Sequence, residues 1–324
     1  MKVLFATYPM AFHTPGGGEI QLLAYHKHLP SHGVEVSLFN PWDPRFHEHD
    51  VVHFFSCVGG SVHFCNFVKQ LGLPLVVSSS LWVTEDTLHL YPIGEIRQQF
   101  SLADFVVANS EIECDTLARV LDLPREKFVS VFNGVEQAFY EPVSGAIFRK
   151  QFGITGPFVL NVGNIEPRKN QLALVRAMKA HPDMRLVLIG HQRDPDYASA
   201  CLEEGGNQVS YLGPLPHDSQ LLRSAYAACE VLCLPSTLET PGLAALEAYA
   251  AGCAIAVTQV GSTEEYFREA AVYVDPLDIN SIAIGIQSAR QRGRSADAGT
   301  ERRALSWPVV VGPLKNIYHS LVRK

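Results

Sequence analysis

The sequence predicts an α/β chain of two doubly wound halves, each built on a parallel sheet. Three observations predict it. Short apolar runs alternate with amphipathic segments along all 324 residues, the alternation restarts near residue 158, and the length exceeds what one hydrophobic core serves.

The first half opens on a strand over residues 2–8, and a glycine-rich loop then leads into a helix over 19–29. Further strands are expected over 34–39, 51–55, 75–78, 105–108 and 128–132, where Val, Phe and Leu cluster as they do in strands buried on both faces. The second half repeats the scheme at 158–162, 186–189, 209–212, 231–234 and 255–257. Within it, the apolar run 228–234 carries one acid, Glu230, and is ended by Pro235 and Ser236. A helix is expected from Gly242 to about Ala251, with Gly252 just past its end. The break between the halves is placed in 141–145, rich in Pro, Ser and Gly, so the halves are residues 1–142 and 143–304. Residues 291–300, rich in Arg, Ser, Ala and Gly, read as a mobile loop. Pro308 suits the first turn of a last helix ending near Leu321.

Composition narrows the functional classes. With 47% hydrophobic and 18% charged residues, this is an ordinary folded chain of net charge −7. Residues 1–142 hold 8 Lys and Arg against 16 Asp and Glu, which argues against nucleic acid and against a broad basic membrane face. No apolar stretch is long enough to span a bilayer, and the run at residues 1–6 is too short for a secretory signal, so at most peripheral membrane contact is expected. Seven Cys without a C-x-x-C pair point to reduced thiols in the cytoplasm, with Cys229 and Cys233 packing a strand.

Chemistry concentrates in residues 235–252. Glu239 precedes the expected helix and Glu247 lies within it. The first N–H groups of a helix have no partners inside it and its N-terminus carries partial positive charge, so Gly242 and Leu243 would hold a diphosphate. At about 1.5 Å per residue, Glu247 stands about 7.5 Å up the axis, where it could accept hydrogen bonds from a ribose. Glu239 could reach a sugar beyond the phosphates. A second cluster, Arg168 and Lys169, follows the strand 158–162, at the carboxyl edge where open α/β sheets bind ligands. A guanidinium grips two phosphate oxygens and an ammonium adds a mobile point charge.

The pattern Pro235-Ser236-x-x-Glu239-x-x-Gly242-Leu243-x-x-x-Glu247-Ala248-x-Ala250-x-Gly252 resembles the signature of the family 4 retaining glycosyltransferases (glycosyl transferases group 1). That resemblance implies the GT-B fold, in which two Rossmann-like domains face each other across a cleft. Asn133-Gly134-Val135 resembles the turn that closes the first domain, and the last helix of the fold returns, so that residues 305–324 join 1–142 as an acceptor-side domain and 143–304 bind the nucleotide sugar. The resemblance also implies a metal-independent enzyme without a cofactor, moving a sugar from a UDP- or GDP-sugar to an acceptor hydroxyl in polysaccharide or glycoconjugate assembly. Arg168, Lys169 and Glu239 would be catalytic, although the family's two cations are usually spaced and here they are adjacent. Gly17 and Gly18 would face the donor phosphate and sugar, and Leu215, in Leu212-Gly213-Pro214-Leu215, the nucleotide base.

Two features depart from the pattern. The family's His-Asp pair after the strand 75–78 is replaced by Ser78-Ser79-Ser80, which leaves Ser80, His13 or His53 to stand near the reacting sugar, or an acceptor site that differs from the family's. Asp194-Pro195-Asp196 resembles the metal-binding D-x-D of a different transferase fold but falls in a polar loop. A sugar-nucleotide epimerase and an inactive donor-binding subunit stay open as alternatives. The acceptor stays open too: a lipid-linked oligosaccharide, a protein or a small metabolite.

Overall fold

Among the described residues, runs of β-branched and aromatic residues bounded by Gly, Pro or Ser become twelve strands in two sheets, every neighbouring pair parallel. The computed structural model describes the whole chain except residues 14–15, 58–59, 296–298 and 323–324. Its strands are β1 (Lys2–Thr7), β2 (Glu35–Leu38), β3 (Val51–Phe55), β4 (Leu75–Ser78), β5 (Phe105–Ala108), β6 (Phe128–Ser130), β7 (Phe158–Val162), β8 (Arg185–Ile189), β9 (Val209–Tyr211), β10 (Val231–Leu234), β11 (Ala254–Thr258) and β12 (Ala271–Val274). The chain divides into two units, Met1–Gly134 with Leu305–Lys324, and Val135–Ala304.

The first unit holds the sheet ordered β2-β1-β3-β4-β5-β6. Strands β3 and β4 are buried along their whole length, and Val52, Phe54, Leu75 and Val77 form a core with Ile96, Phe100, Val106 and Leu117 from flanking elements. The C-terminal residues join this unit through Trp307, 2% exposed, whose ring meets Tyr25 edge-on at 5.9 Å. The expected single last helix is two pieces, Trp307–Val310 and Gly312–Val322, because Pro313 has no N–H to continue the ladder. Tyr318 on the second piece reaches Nδ1 of His53 at 2.7 Å, and Ser78 Oγ meets Nε2 at 2.9 Å. Burial pushes His53 down to about 3. His53 is therefore a neutral core residue, while His13 ends an exposed turn.

The second unit holds the sheet ordered β12-β11-β10-β7-β8-β9. Its core runs through Val159, Leu186, Leu188, Val231, Cys233 and Ile282. Strand β12, four residues at the sheet's edge, is not expected from the sequence. The boundary falls after Gly134, eight residues before the expected one. Phe139 and Tyr140 are buried in the second unit: the Phe139 ring lies 5.7 Å from His217 and 5.9 Å from Tyr226, and the Tyr140 hydroxyl donates to the Arg302 carbonyl at 2.8 Å. Of the expected loop 291–300, residues 291 and 292 end the helix Ile279–Arg292, and 296–298 lie outside the described residues.

All seven cysteines are buried free thiols. Among the described residues, no helix is long and apolar enough to cross a membrane.

Candidate active site

In a doubly wound sheet the strand order reverses at one point, and the loops leaving the two strands there diverge to open a crevice. In the second unit the reversal lies between β7 and β10. The loop after β7 carries Arg168 and Lys169, and the loop after β10 carries Ser236, Glu239 and Gly242.

These loops are fastened to each other. Asn170 takes φ +58° and its amide donates to the Pro235 carbonyl at 2.9 Å and the Pro276 carbonyl at 2.8 Å. Thr237 N–H donates to the Arg168 carbonyl at 2.9 Å, and the Arg168 guanidinium donates to the Leu238 carbonyl at 3.1 Å. So held, Lys169 Nζ stands 2.6 Å from Glu239 Oε1, which also accepts from the Ser236 hydroxyl at 2.6 Å. Glu239 is 5% exposed. Burial works to raise its carboxyl, but the Lys169 ammonium, with Ser236 and Arg168, outweighs it and holds Glu239 below the ordinary glutamate value. The site thus keeps a buried carboxylate ionised beside two cations. Arg168 is the open one, 49% exposed and 3.3 Å from Glu166.

The helix after this loop is Leu243–Ala250, capped by Gly242. Gly242 has φ +88°, a conformation that favours glycine, and a Cβ there would press on Glu239 Oε2 at 3.1 Å. Gly242, Leu243 and Ala244 donate no backbone hydrogen bond to any described residue. Gly242 stands against Glu239, and these three N–H groups open the helix that follows it. Gly252 sits just past the helix with φ +74°, where the sequence places it.

Glu247 is on this helix but 4% exposed. Tyr226 donates to its Oε2 at 2.6 Å, and His217 Nε2 lies 2.5 Å from its Oε1. Sequence reasoning missed both partners. Tyr226 lies in the helix Gln220–Ala228, where its spacing reads as core, and His217 belongs to the same loop as Leu215, two residues on. Leu215 itself is half-buried.

The bond to Glu247 raises His217 above its ordinary value against the pull of burial, with Glu136 and Asp218 adding to the rise. A raised folded value means that the pair's contribution to stability is full below the unfolded histidine value near about 6.5 and is lost as pH rises through the folded value. The thermal midpoint of the protein is expected to fall as pH rises through that window, and His217→Gln to lose part of that fall. Parallel midpoint profiles for the two proteins would contradict the pairing.

Gly17 and Gly18 belong to the first unit, where they begin the helix Gly17–His28; Pro15 of their loop lies outside the described residues. Gly16 N–H donates to Glu19 Oε2 at 2.7 Å, and a Cβ on Gly18 would lie 3.3 Å from Ser80 Oγ. Asp194 caps the helix Pro195–Gly205 by accepting from Tyr197 N–H at 3.0 Å, which accounts for the Asp-Pro-Asp segment as a helix start. Among the described residues, no cluster of three or more His, Cys, Asp or Glu is placed to hold a metal ion.

Residues 146–301 match the family model of glycosyl transferases group 1. The D-inositol 3-phosphate glycosyltransferase of Mycobacterium sp. (strain KMS) is 29% identical over 226 residues, 66% of this chain and 50% of that protein. The protein of the same name from Segniliparus rotundus is 26% identical over 306 residues, 85% of this chain and 67% of that protein. The chain spans about half the length of the curated relatives it matches first. Among solved structures, sucrose-phosphate synthase from Thermosynechococcus elongatus superposes with TM-score 0.80 at 20% identity, covering 100% of both chains. Anabaena Alr3699/HepE, in complex with UDP and glucose, superposes with TM-score 0.79 at 18% identity, covering 99% of both chains. At these identities the likeness is one of fold.

Proposed function

Because this chain belongs, through residues 146–301, to the glycosyl transferases group 1 family and has the GT-B fold, we propose that it is a retaining, metal-independent glycosyltransferase. It takes a sugar from a UDP- or GDP-sugar to an acceptor hydroxyl, in the assembly of a polysaccharide or glycoconjugate. The observation that carries this reading is the convergence of Arg168, Lys169 and Gly242, the residue that opens helix Leu243–Ala250, around one buried carboxylate at the switch point of the second sheet.

The chemistry follows from charge. Cleaving a sugar from a nucleoside diphosphate places growing negative charge on the departing phosphate. Donors fixed in advance where that charge develops lower the barrier more than donors that must reorganise. Arg168 and Lys169 supply two full charges and the helix tip a partial one. They serve the role that a divalent ion fills in metal-dependent transfer, which is why metal is not required. The departing diphosphate can itself take the acceptor's proton from the same face, so the route tolerates Ser79 and Ser80 in place of a His-Asp pair.

Glu239 stands beside these cations as an acceptor for hydroxyls of the transferred sugar, and Lys169 keeps it ionised for that task. Glu247, fixed by Tyr226 and His217, keeps one lone pair on each oxygen for the ribose. Leu215 flanks the base.

UDP is the nucleotide to test first, because HepE, a protein of this fold, is known in complex with UDP. A thermal-shift panel of UDP, GDP, UDP-glucose and GDP-mannose tests the reading. A millimolar nucleotide of micromolar affinity adds about 4 kcal/mol of stability, an easily seen upward shift. Stabilisation by a nucleoside diphosphate that persists in EDTA is the expected result. No shift with any of the four, or a shift that EDTA abolishes, would contradict it.

A further inference from the structure

Two cysteines meet at the edge of the second sheet that lies away from the crevice, entirely within the second unit. Cys229 closes helix Gln220–Ala228 two residues before β10, and Cys253 stands directly before β11. Because Val231 and Ala254 pair in register, the parallel sheet brings both thiols to its amino edge. Their sulfurs are 3.1 Å apart. Among the described residues, no other two cysteines are hydrogen-bonded to each other.

Their surroundings set the two sulfurs apart. The Cys229 thiol, donating to it, and the Arg294 guanidinium hold Cys253 below the ordinary thiol value against burial, while burial and Cys253 push Cys229 up. One sulfur is thus the nucleophile and the other its resolving partner. Cys229 is 2% exposed and Cys253 6%, which excludes a bulky disulfide as the oxidant and leaves a small hydroperoxide.

Both thiols lie at the root of Glu247. Tyr226, which donates to Glu247 Oε2 at 2.6 Å, is three residues before Cys229 on one helix, and Glu247 is six residues before Cys253 on the other. The Arg294 guanidinium fastens the same two ends, donating to the Tyr226 carbonyl at 2.8 Å and to the Ala251 carbonyl at 2.8 Å. A disulfide is about 2.05 Å long, so forming it closes the sulfurs by about 1 Å, and a close-packed interior passes that movement to the helices.

We propose that Cys229 and Cys253 form a redox site, at which a hydroperoxide installs a disulfide that shifts Glu247 through Tyr226 and weakens nucleotide binding. The Cys253 thiolate attacks one peroxide oxygen, the O–O bond breaks, and the other oxygen leaves as water or alcohol after taking a proton. The Cys229 sulfur then attacks the resulting sulfenic acid: the S–S bond forms, the S–O bond breaks, and hydroxide leaves with the thiol proton as water. Two thiols lose two electrons and two protons, and the peroxide is reduced. The nucleotide effect rests on the glycosyltransferase reading, but the disulfide is read without nucleotide.

Treatment of the full chain with hydrogen peroxide, followed by alkylation and peptide mapping by mass spectrometry, tests it. A cross-link between Cys229 and Cys253 that forms before any other cysteine is oxidised is the expected result. Calorimetric titration should then show UDP bound about threefold or more weakly after oxidation, with affinity restored by dithiothreitol and insensitive to peroxide in Cys253→Ser. The thermal midpoint shows that Cys253→Ser folds, and Cys229→Ala repeats the control from the other side. No cross-link, another cysteine oxidised first, or equal UDP affinity with and without the disulfide would each overturn the proposal. A cross-link in a protein that binds no nucleotide even when reduced would spare the redox pair and count against the glycosyltransferase reading.

Discussion

Lys169→Met is expected to lower turnover about 10²- to 10³-fold and to lower the thermal midpoint as well. Methionine keeps the length of the side chain but removes the ammonium 2.6 Å from Glu239 Oε1. Two losses follow from that one change. The departing diphosphate loses a preorganised cation, which acts on kcat. Glu239, 5% exposed, keeps Ser236 and the more distant Arg168 but loses its direct charge partner, and breaking a buried ion pair on one side costs about 3 to 5 kcal/mol. Glu239 is then expected to take up a proton at a higher pH than in the wild type. Arg168→Met provides the contrast: Arg168 is 49% exposed, so turnover should fall with little change in midpoint. Wild-type turnover in Lys169→Met would remove the cation from the mechanism.

Gly261→Ala is expected to abolish most activity from a position that carries no functional group. Gly261 bridges Glu239 across parallel backbone, with Glu239 N–H donating to the Val260 carbonyl at 3.2 Å and Ser262 N–H to the Glu239 carbonyl at 3.0 Å. A Cβ at Gly261 would lie 2.0 Å from the Glu239 carbonyl oxygen, and φ is +111°. Neither strain nor clash can be relieved by a side-chain rotation, so the backbone under Glu239 must move. A displacement of about 1 Å at a reacting group costs on the order of 10²-fold in rate. Gly156→Ala is the control: φ is +75° but nothing lies within 4 Å of the added Cβ, so it should lose stability without losing kcat. Equal kcat in Gly261→Ala and wild type would show that Glu239 need not be held in place.

The two predictions draw on residues that differ in how far the sequence reveals them. Lys169 and Gly242 can be picked out because their chemistry fits a diphosphate, and Glu239 because a carboxylate accepts sugar hydroxyls, each spaced as strand, loop and helix require. Two sheets can be foreseen because buried parallel strands leave continuous apolar runs, as at β3, β4, β10 and β11. Gly261 leaves no trace, since its importance lies in a backbone contact with a residue 22 positions earlier. His217 and Tyr226 are hidden for a similar reason. Their partner Glu247 is 30 and 21 residues away, and neither has a distinctive neighbour in the chain. The direct pairing of Lys169 with Glu239 is also not legible, because the sequence reading gives the two to different parts of the donor. Strand ends shift by one or two residues for an ordinary reason: ladder pairing stops where a partner strand stops. The boundary at Gly134 depends on the burial of Phe139 and Tyr140, which the Pro, Ser and Gly content of 141–145 does not reveal.

The central claim is that the β7–β10 crevice is built for pyrophosphate, and calorimetric titration with uridine, UMP and UDP tests it most directly. If Arg168, Lys169 and the tip of helix Leu243–Ala250 hold the phosphates, affinity should rise about tenfold or more from uridine to UDP, and Lys169→Met should erase most of that rise while leaving uridine binding unchanged. UDP binding no tighter than uridine, or as tightly to Lys169→Met as to the wild type, would contradict it.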